Sequence, residues 1–194
     1  MTPEMPEALG VALRVVDVLE ELGIGYHLGG SYASSLHGFP RQTQDIDVVV
    51  ELEEGLASEF ASRLEGDFYV DEITIGRAIR NKGSFNILHL NSGIKVDLFI
   101  LADDAFDHQE FERHRLELIQ AEPERRVFVK SPEDIVLRKL HWFRLGGEVS
   151  DRQWTDILGV LRTQGDRLDA EYLEHWASHL GLTDLLERAI RSRS

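Results

Sequence analysis

Leu28-Gly29-Gly30-Ser31-Tyr32-Ala33-Ser34-Ser35-Leu36-His37-Gly38-Phe39-Pro40-Arg41-Gln42-Thr43-Gln44-Asp45-Ile46-Asp47-Val48-Val49-Val50 is the stretch on which the reading turns. A glycine pair takes Cβ out of a turn, so the backbone can come close to a ligand. Ser31 and the free amides at the start of a short helix over Tyr32–His37 can donate hydrogen bonds to an anion. The β-branched run Ile46–Val50 predicts a strand. Asp45 and Asp47 stand two residues apart at its head, so they share one face. Two such carboxylates repel, by roughly 1 kcal/mol in water at about 4 Å and about 4 kcal/mol at an effective dielectric of 20. Asp97, if it joined them, would add to that repulsion, and the cluster calls for a proton or a cation. Oxygen ligands without His or Cys select Mg2+, with Mn2+ as the alternative. Two such ions can hold an attacking hydroxyl and a nucleotide α-phosphate in line. The chemistry implied is transfer of an NMP from an NTP substrate, with Gly29, Gly30 and Ser31 holding the outer phosphates. Arg41 and Thr43 stand just before the aspartates. A cation there either reaches a triphosphate or neutralises the acids, and both readings stay open.

Outward from this stretch the pattern is mixed. Leu9, Leu13, Val16 and Leu19 give a helical apolar face from about Glu4 to Leu22, stopped by Gly23. A short strand is expected over Tyr26–Leu28 and a helix near Glu54–Leu64. Ser84–Leu90 and Lys95–Leu101 flank the turn former Asn91-Ser92-Gly93 and predict a hairpin. In its second strand Lys95, Asp97 and Phe99 share a face. A charge-rich helix is expected over Ala105–Ala121 and a short strand over Val127–Val129. Ser131-Pro132-Glu133-Asp134 is a strong helix start, with Ser as cap and Pro at the first helical position. Three further helices are expected, one capped by Ser150, one near Ala170–Leu180 and one near Asp184–Arg191. Trp142, Trp154 and Trp176 fall at apolar helical positions and are read as core of this region. The fold class is therefore α+β: a mixed sheet flanked by helices over residues 1–130, then a small helical bundle over 131–194.

The chain has 194 residues and a formal net charge of −14. Residues 1–112 carry 7 Lys+Arg against 21 Asp+Glu, so the whole excess lies there, and the remainder is neutral. Such acidity disfavours broad nucleic-acid binding and suits a site that needs divalent cations before it accepts a polyphosphate. The absence of cysteine rules out disulfides, thiolate metal sites and a Cys nucleophile. No apolar run approaches bilayer length, and the N-terminus lacks the pattern of a signal peptide. A cytoplasmic protein without membrane association is expected.

The segment resembles the signature of the DNA polymerase β-like nucleotidyltransferases: an apolar residue with Gly-Gly-Ser, a spacer, then Asp-apolar-Asp at a strand. Leu28-Gly29-Gly30-Ser31 and Asp45-Ile46-Asp47 carry it. The resemblance implies a third carboxylate on a later strand, which Lys95-Val96-Asp97-Leu98-Phe99 supplies. It implies Asp45, Asp47 and Asp97 as metal ligands, with Asp97 either binding the catalytic metal or taking the acceptor's proton. Within that superfamily the chain looks closest to the AbiEii-like branch, which includes toxins of toxin–antitoxin and phage-defence systems. Ser131-Pro132-Glu133-Asp134-Ile135, Lys139 and Asp156 carry this finer likeness. It implies Lys139 as a catalytic contact to the nucleotide and Asp156 as a nucleotide-binding residue, and a cognate antitoxin as partner. The acceptor is left open between tRNA, a protein hydroxyl and a small molecule such as an antibiotic. A tRNA would need a groove drawn from Arg113, Arg115, Arg125, Arg126, Lys130 and Arg138. The rival reading is a catalytically silent nucleotide- or partner-binding module on the same fold.

Overall fold

The computed structural model describes residues 7–43 and 45–193. The Glu4–Pro6 part of the expected first helix, and Gln44, lie outside the described residues. Contacts divide the chain into two compact units, Met1–Gly29 with Gln42–Val129, and Gly30–Arg41 with Lys130–Ser194. One of the three seams, after Val129, lies a residue before the boundary expected after residue 130, while the short segment Gly30–Arg41 groups with the C-terminal helices.

In chain order the elements are α1 (Glu7–Glu21), β1 (Tyr26–Leu28), α2 (Gly30–His37), β2 (Ile46–Val50), α3 (Glu54–Leu64), β3 (Phe68–Tyr69), α4 (Glu72–Asn81), β4 (Ser84–His89), β5 (Lys95–Ile100), α5 (Ala105–Glu112), β6 (Arg115–Gln120), β7 (Arg125–Val129), α6 (Pro132–Leu145), α7 (Asp151–Gln164), a 3-10 turn (Gly165–Arg167), α8 (Ala170–His179) and α9 (Thr183–Ser192).

The first unit is built on a seven-stranded mixed sheet in the order β3-β4-β5-β2-β1-β7-β6. β2 runs parallel to β5 and β1 parallel to β7. The pairs β1/β2, β3/β4, β4/β5 and β6/β7 are antiparallel. Alternation sets its core. Ile46, Val48 and Val50 of β2 and Val96 and Leu98 of β5 are buried on one face, packed with α1, whose Leu9, Leu13, Val16 and Leu19 are buried. Burying each such side chain is worth about 1.5–3 kcal/mol. Asp47 and Asp97 occupy the alternate positions and so face the other way.

Two expectations are corrected here. The helix expected over Ala105–Ala121 ends at Glu112, and Arg115–Gln120 is the edge strand β6, paired with β7. Leu116 and Leu118 show the spacing of two that suits a strand, and pairing with β7 selects it. The region 67–83, for which the sequence pattern predicts no element, forms β3 and α4. Asp71 caps α4, accepting from the Ile73 amide.

The second unit is all helical. Ser131 caps α6 as expected from its motif, accepting from the Asp134 amide. α6 packs on α7 through buried Ile135, Val136, Leu140, Ile157, Val160 and Leu161. Gly38 passes so close to α7 that a Cβ there would lie 2.8 Å from the Val160 nitrogen and from the Ser34 carbonyl oxygen. Trp176 is buried, but Trp142 is 54% exposed, which corrects its reading as core. Leu140 and Phe143, not Trp142, take the inward face of α6. Among the described residues no helix is long and apolar enough to cross a membrane.

Candidate active site

In the first unit the sheet register brings two of the expected carboxylates together. Asp47 of β2 is the direct partner of Asp97 on β5, and adjacent strands lie about 4.8 Å apart. Asp45 precedes β2 by one residue and is exposed, whereas Asp47 and Asp97 are half-buried. The Gly29 amide donates to the Asp47 carbonyl oxygen at 2.8 Å, extending the β1–β2 pairing to the glycine turn. Gly30 has φ of +54°, a left-handed conformation that explains glycine at this point. Thr43 uses its hydroxyl to donate to the Asp45 carbonyl oxygen at 3.0 Å, a turn-stabilising bond.

Lys95 lies two residues before Asp97, on the same face of β5, and its Nζ sits 2.8 Å from Asp97 Oδ2. Its ammonium is held above the ordinary lysine range, first by that hydrogen bond and then by the charges of Asp97, Asp45 and Asp47. All three acids therefore act on a single point. Among the described residues no group of three or more His, Asp or Glu side chains is placed so that it could hold a metal ion as it stands. The donor set itself is carboxylate oxygen throughout and partly open to solvent, which fits a hard cation such as Mg2+ that keeps several waters. Asn86, which sequence reasoning missed, stands on β4 directly opposite Asp97. The signal was present in the alternation of Ser84–His89, but its use required the hairpin register.

The second unit gathers Ser31, Arg41, Lys139 and Asp156. Arg41 donates from Nε to Asp156 Oδ1 and from Nη2 to Asp156 Oδ2, both at 2.9 Å. Lys139 Nζ is 2.9 Å from the same Oδ2 and donates to Gln153 Oε1 at 3.0 Å. Arg41 also donates to Ser31 Oγ at 2.7 Å, and Arg152 does so at 3.4 Å. Ser31 thus accepts twice, which leaves its own O–H to be donated. Two cations share one carboxylate. Burial pushes Asp156 up, but hydrogen bonds from Arg41 and Lys139, reinforced by their charges, hold it below the usual carboxylate range. Burial pushes Lys139 down, its bond to Asp156 opposes this, and the charges of Arg41 and Arg152 add to the fall. Arg152 and Gln153 were not anticipated. They sit in the first turn of α7, and only its packing against α6 reveals them.

No protein-family model matches the sequence, and no curated protein sequence matches it. Solved structures do. The antibiotic-resistance factor ANT(2'')-Ia in solution is similar with a TM-score of 0.53 at 20% identity, over 92% of this chain and 94% of that one. An antigenic nucleotidyltransferase-like protein from Paracoccidioides brasiliensis gives 0.52 at 16% identity, over 94% and 92%. ANT(2'')-Ia in complex with adenylyl-2''-tobramycin gives 0.51 at 14% identity, over 91% and 98%.

The chain has the nucleotidyltransferase fold. On that fold Asp47 and Asp97 lie on neighbouring central strands, which places them by register rather than by loop conformation. Of the cations considered for a nucleic-acid groove, Arg125 is tied to Asp17 and Glu20, Arg126 to Glu124, and Lys130 is buried. The first unit holds 10 Lys+Arg against 24 Asp+Glu, a net −14, while the second holds 11 of each.

Proposed function

We propose that this chain is a Mg2+-dependent nucleotidyltransferase that moves an NMP from an NTP to a hydroxyl of a small cationic acceptor. The observation that carries the reading is the register pairing of Asp47 with Asp97, beside Asp45, with the charges of all three meeting at Lys95. Asp45, Asp47 and Asp97 would hold the divalent ions, with Mn2+ as a substitute for Mg2+. The ions would supply Lewis-acid charge at the α-phosphate and its leaving group. Asp97 takes the proton of the acceptor hydroxyl, the oxygen bonds to the α-phosphorus, and pyrophosphate leaves. Gly29, Gly30, Ser31, Arg41, Thr43 and Asp156 are assigned to the nucleotide, and Lys139 to its phosphates. Residues 1–130 are assigned as the nucleotidyltransferase core and 131–194 as a helical subdomain.

A cationic acceptor is favoured because the unit with the carboxylates carries the entire net charge of −14. Such a field concentrates cations and repels a phosphodiester backbone. Two arginines that a tRNA would need are held in internal ion pairs. The AbiEii-like resemblance adds a setting, a toxin–antitoxin or phage-defence system with a cognate antitoxin, which an adjacent reading frame for a small DNA-binding regulator would support. The test is incubation with α-labelled NTPs, Mg2+ and a panel of aminated small molecules, proteins and tRNA. Transfer to a cationic small molecule, lost in Asp47→Ala and Asp97→Ala, is expected. Label transfer that survives both substitutions would refute the assignment. NTP binding without transfer to any acceptor class favours the silent module.

A further inference from the structure

The function proposed above uses the three aspartates and leaves Lys95 without a task. Yet its Nζ sits 2.8 Å from Asp97 Oδ2, and Asp97 pairs in register with Asp47. The side chain is 44% exposed, and the residue sits on the exposed face of β5 beside the exposed Leu88 of β4. A lysine head is a compact point charge on a flexible stem, able to leave one partner for solvent without moving the backbone. A divalent ion coordinated by Asp97 would claim the same carboxylate on which Lys95 now rests. Two cations cannot share that position without repelling each other.

We propose that Lys95 is the resident counter-cation of the Asp45–Asp47–Asp97 trio and competes with divalent metal for it, so that Lys95 sets the metal concentration at which the site fills. This rests on the metal reading of the trio. In the metal-free protein the ammonium offsets repulsion among the acids. On metal entry it is expelled from the carboxylates and becomes available to an incoming anionic group.

The experiment titrates Mn2+ alone, without nucleotide, into the full-length protein and reads free Mn2+ by electron paramagnetic resonance. Lys95→Met should bind Mn2+ roughly three- to fivefold more tightly than the parent, the upper part of what loss of a partly exposed ion pair releases. Lys95→Arg keeps the charge and should stay within about twofold of the parent. In EDTA the melting temperature of Lys95→Met should fall below that of the parent, and Mn2+ should raise it by more. Equal or weaker Mn2+ binding by Lys95→Met overturns the inference, provided Asp47→Ala has lost the ion. If Asp47→Ala binds Mn2+ as well as the parent, or if neither parent nor Lys95→Met binds it, the metal reading itself has failed and the role of Lys95 falls with it.

Discussion

Asp156→Asn should destabilise the protein by about 3 kcal/mol. The carboxylate is 7% exposed, is gripped by both Nε and Nη2 of Arg41, and also meets Lys139 Nζ, whose side chain is 9% exposed. Breaking a buried ion pair by removing one partner costs about 3–5 kcal/mol, mostly because the other charge is left buried. Arg41 is 26% exposed and regains water, so its share is smaller. Lys139 keeps one acceptor, Gln153 Oε1. Both considerations place the cost at the low end of the range. Against a total stability of about 5–15 kcal/mol this is a large loss. Urea unfolding at pH 7 of the parent, Asp156→Asn, Lys139→Met and the double variant measures it. Removing the orphaned ammonium should recover about 1–2 kcal/mol, so the two changes should not add. A loss below about 1 kcal/mol for Asp156→Asn, or simple additivity in the cycle, would refute the view that the pair is buried and coupled.

Three more outcomes are expected. Asp156 has its carboxyl held below the usual range, so its contribution is complete above the unfolded value of about 3.9 and is lost as pH falls through the lower folded value. The stability gap between parent and Asp156→Asn should therefore be flat from roughly pH 5 to pH 7 and close below about pH 4 in thermal melts, and a gap that widens in acid contradicts this. Tyr172 donates its hydroxyl to Asp134 Oδ1 at 2.6 Å, and Asp134 is fully buried. Tyr172→Phe should cost about 1–3 kcal/mol in urea unfolding, the penalty of leaving a buried acceptor short of a donor, and a neutral result would count against that bond. Gly38→Ala would push a methyl to 2.8 Å from the Ser34 carbonyl oxygen and the Val160 nitrogen. Backbone cannot swing aside as a side chain can, so a loss of about 1–3 kcal/mol is expected, and an unchanged melting temperature would show that α2 and α7 are less tightly packed than described.

Much of the fold was legible because its decisive signals are local. Asp45-Ile46-Asp47 before a β-branched run, the Asn91-Ser92-Gly93 turn and the Ser131-Pro132 cap each act over a few residues, and each element formed where expected. What escaped depends on distant partners. Arg115–Gln120 has a composition that a helix tolerates, and only pairing with β7 makes it a strand. Glu72–Asn81 contains Ile73, Thr74 and Ile75, β-branched residues that favour a strand, and Gly76, which weakens a helix. The Asp71 cap settles it. For the candidate site, residue types and the face shared by Asp45 and Asp47 were readable, but Asp47 opposite Asp97 needed the register of β2 on β5, which two separately identified strands do not give. Lys95 was legible as a neighbour of Asp97 on one strand face, but Asn86, Arg152 and Gln153 were not, because a charged or amide side chain on an exposed position has no periodic signature until its neighbours across the sheet or bundle are known.

The grouping of residues 30–41 with the C-terminal helices bears on how the chain is made. Synthesis runs from the N-terminus, so that segment leaves the ribosome about a hundred residues before α6 and α7, whose buried side chains complete its surroundings. Buried Ala33, Ser34 and His37 of α2 must wait for partners not yet synthesised. A chain ended at residue 129 would keep every strand of the sheet yet leave α2 stranded, with its apolar side open to water. The glycine turn that opens α2 thus matures late, and nascent fragments should acquire sheet structure well before α2 is packed.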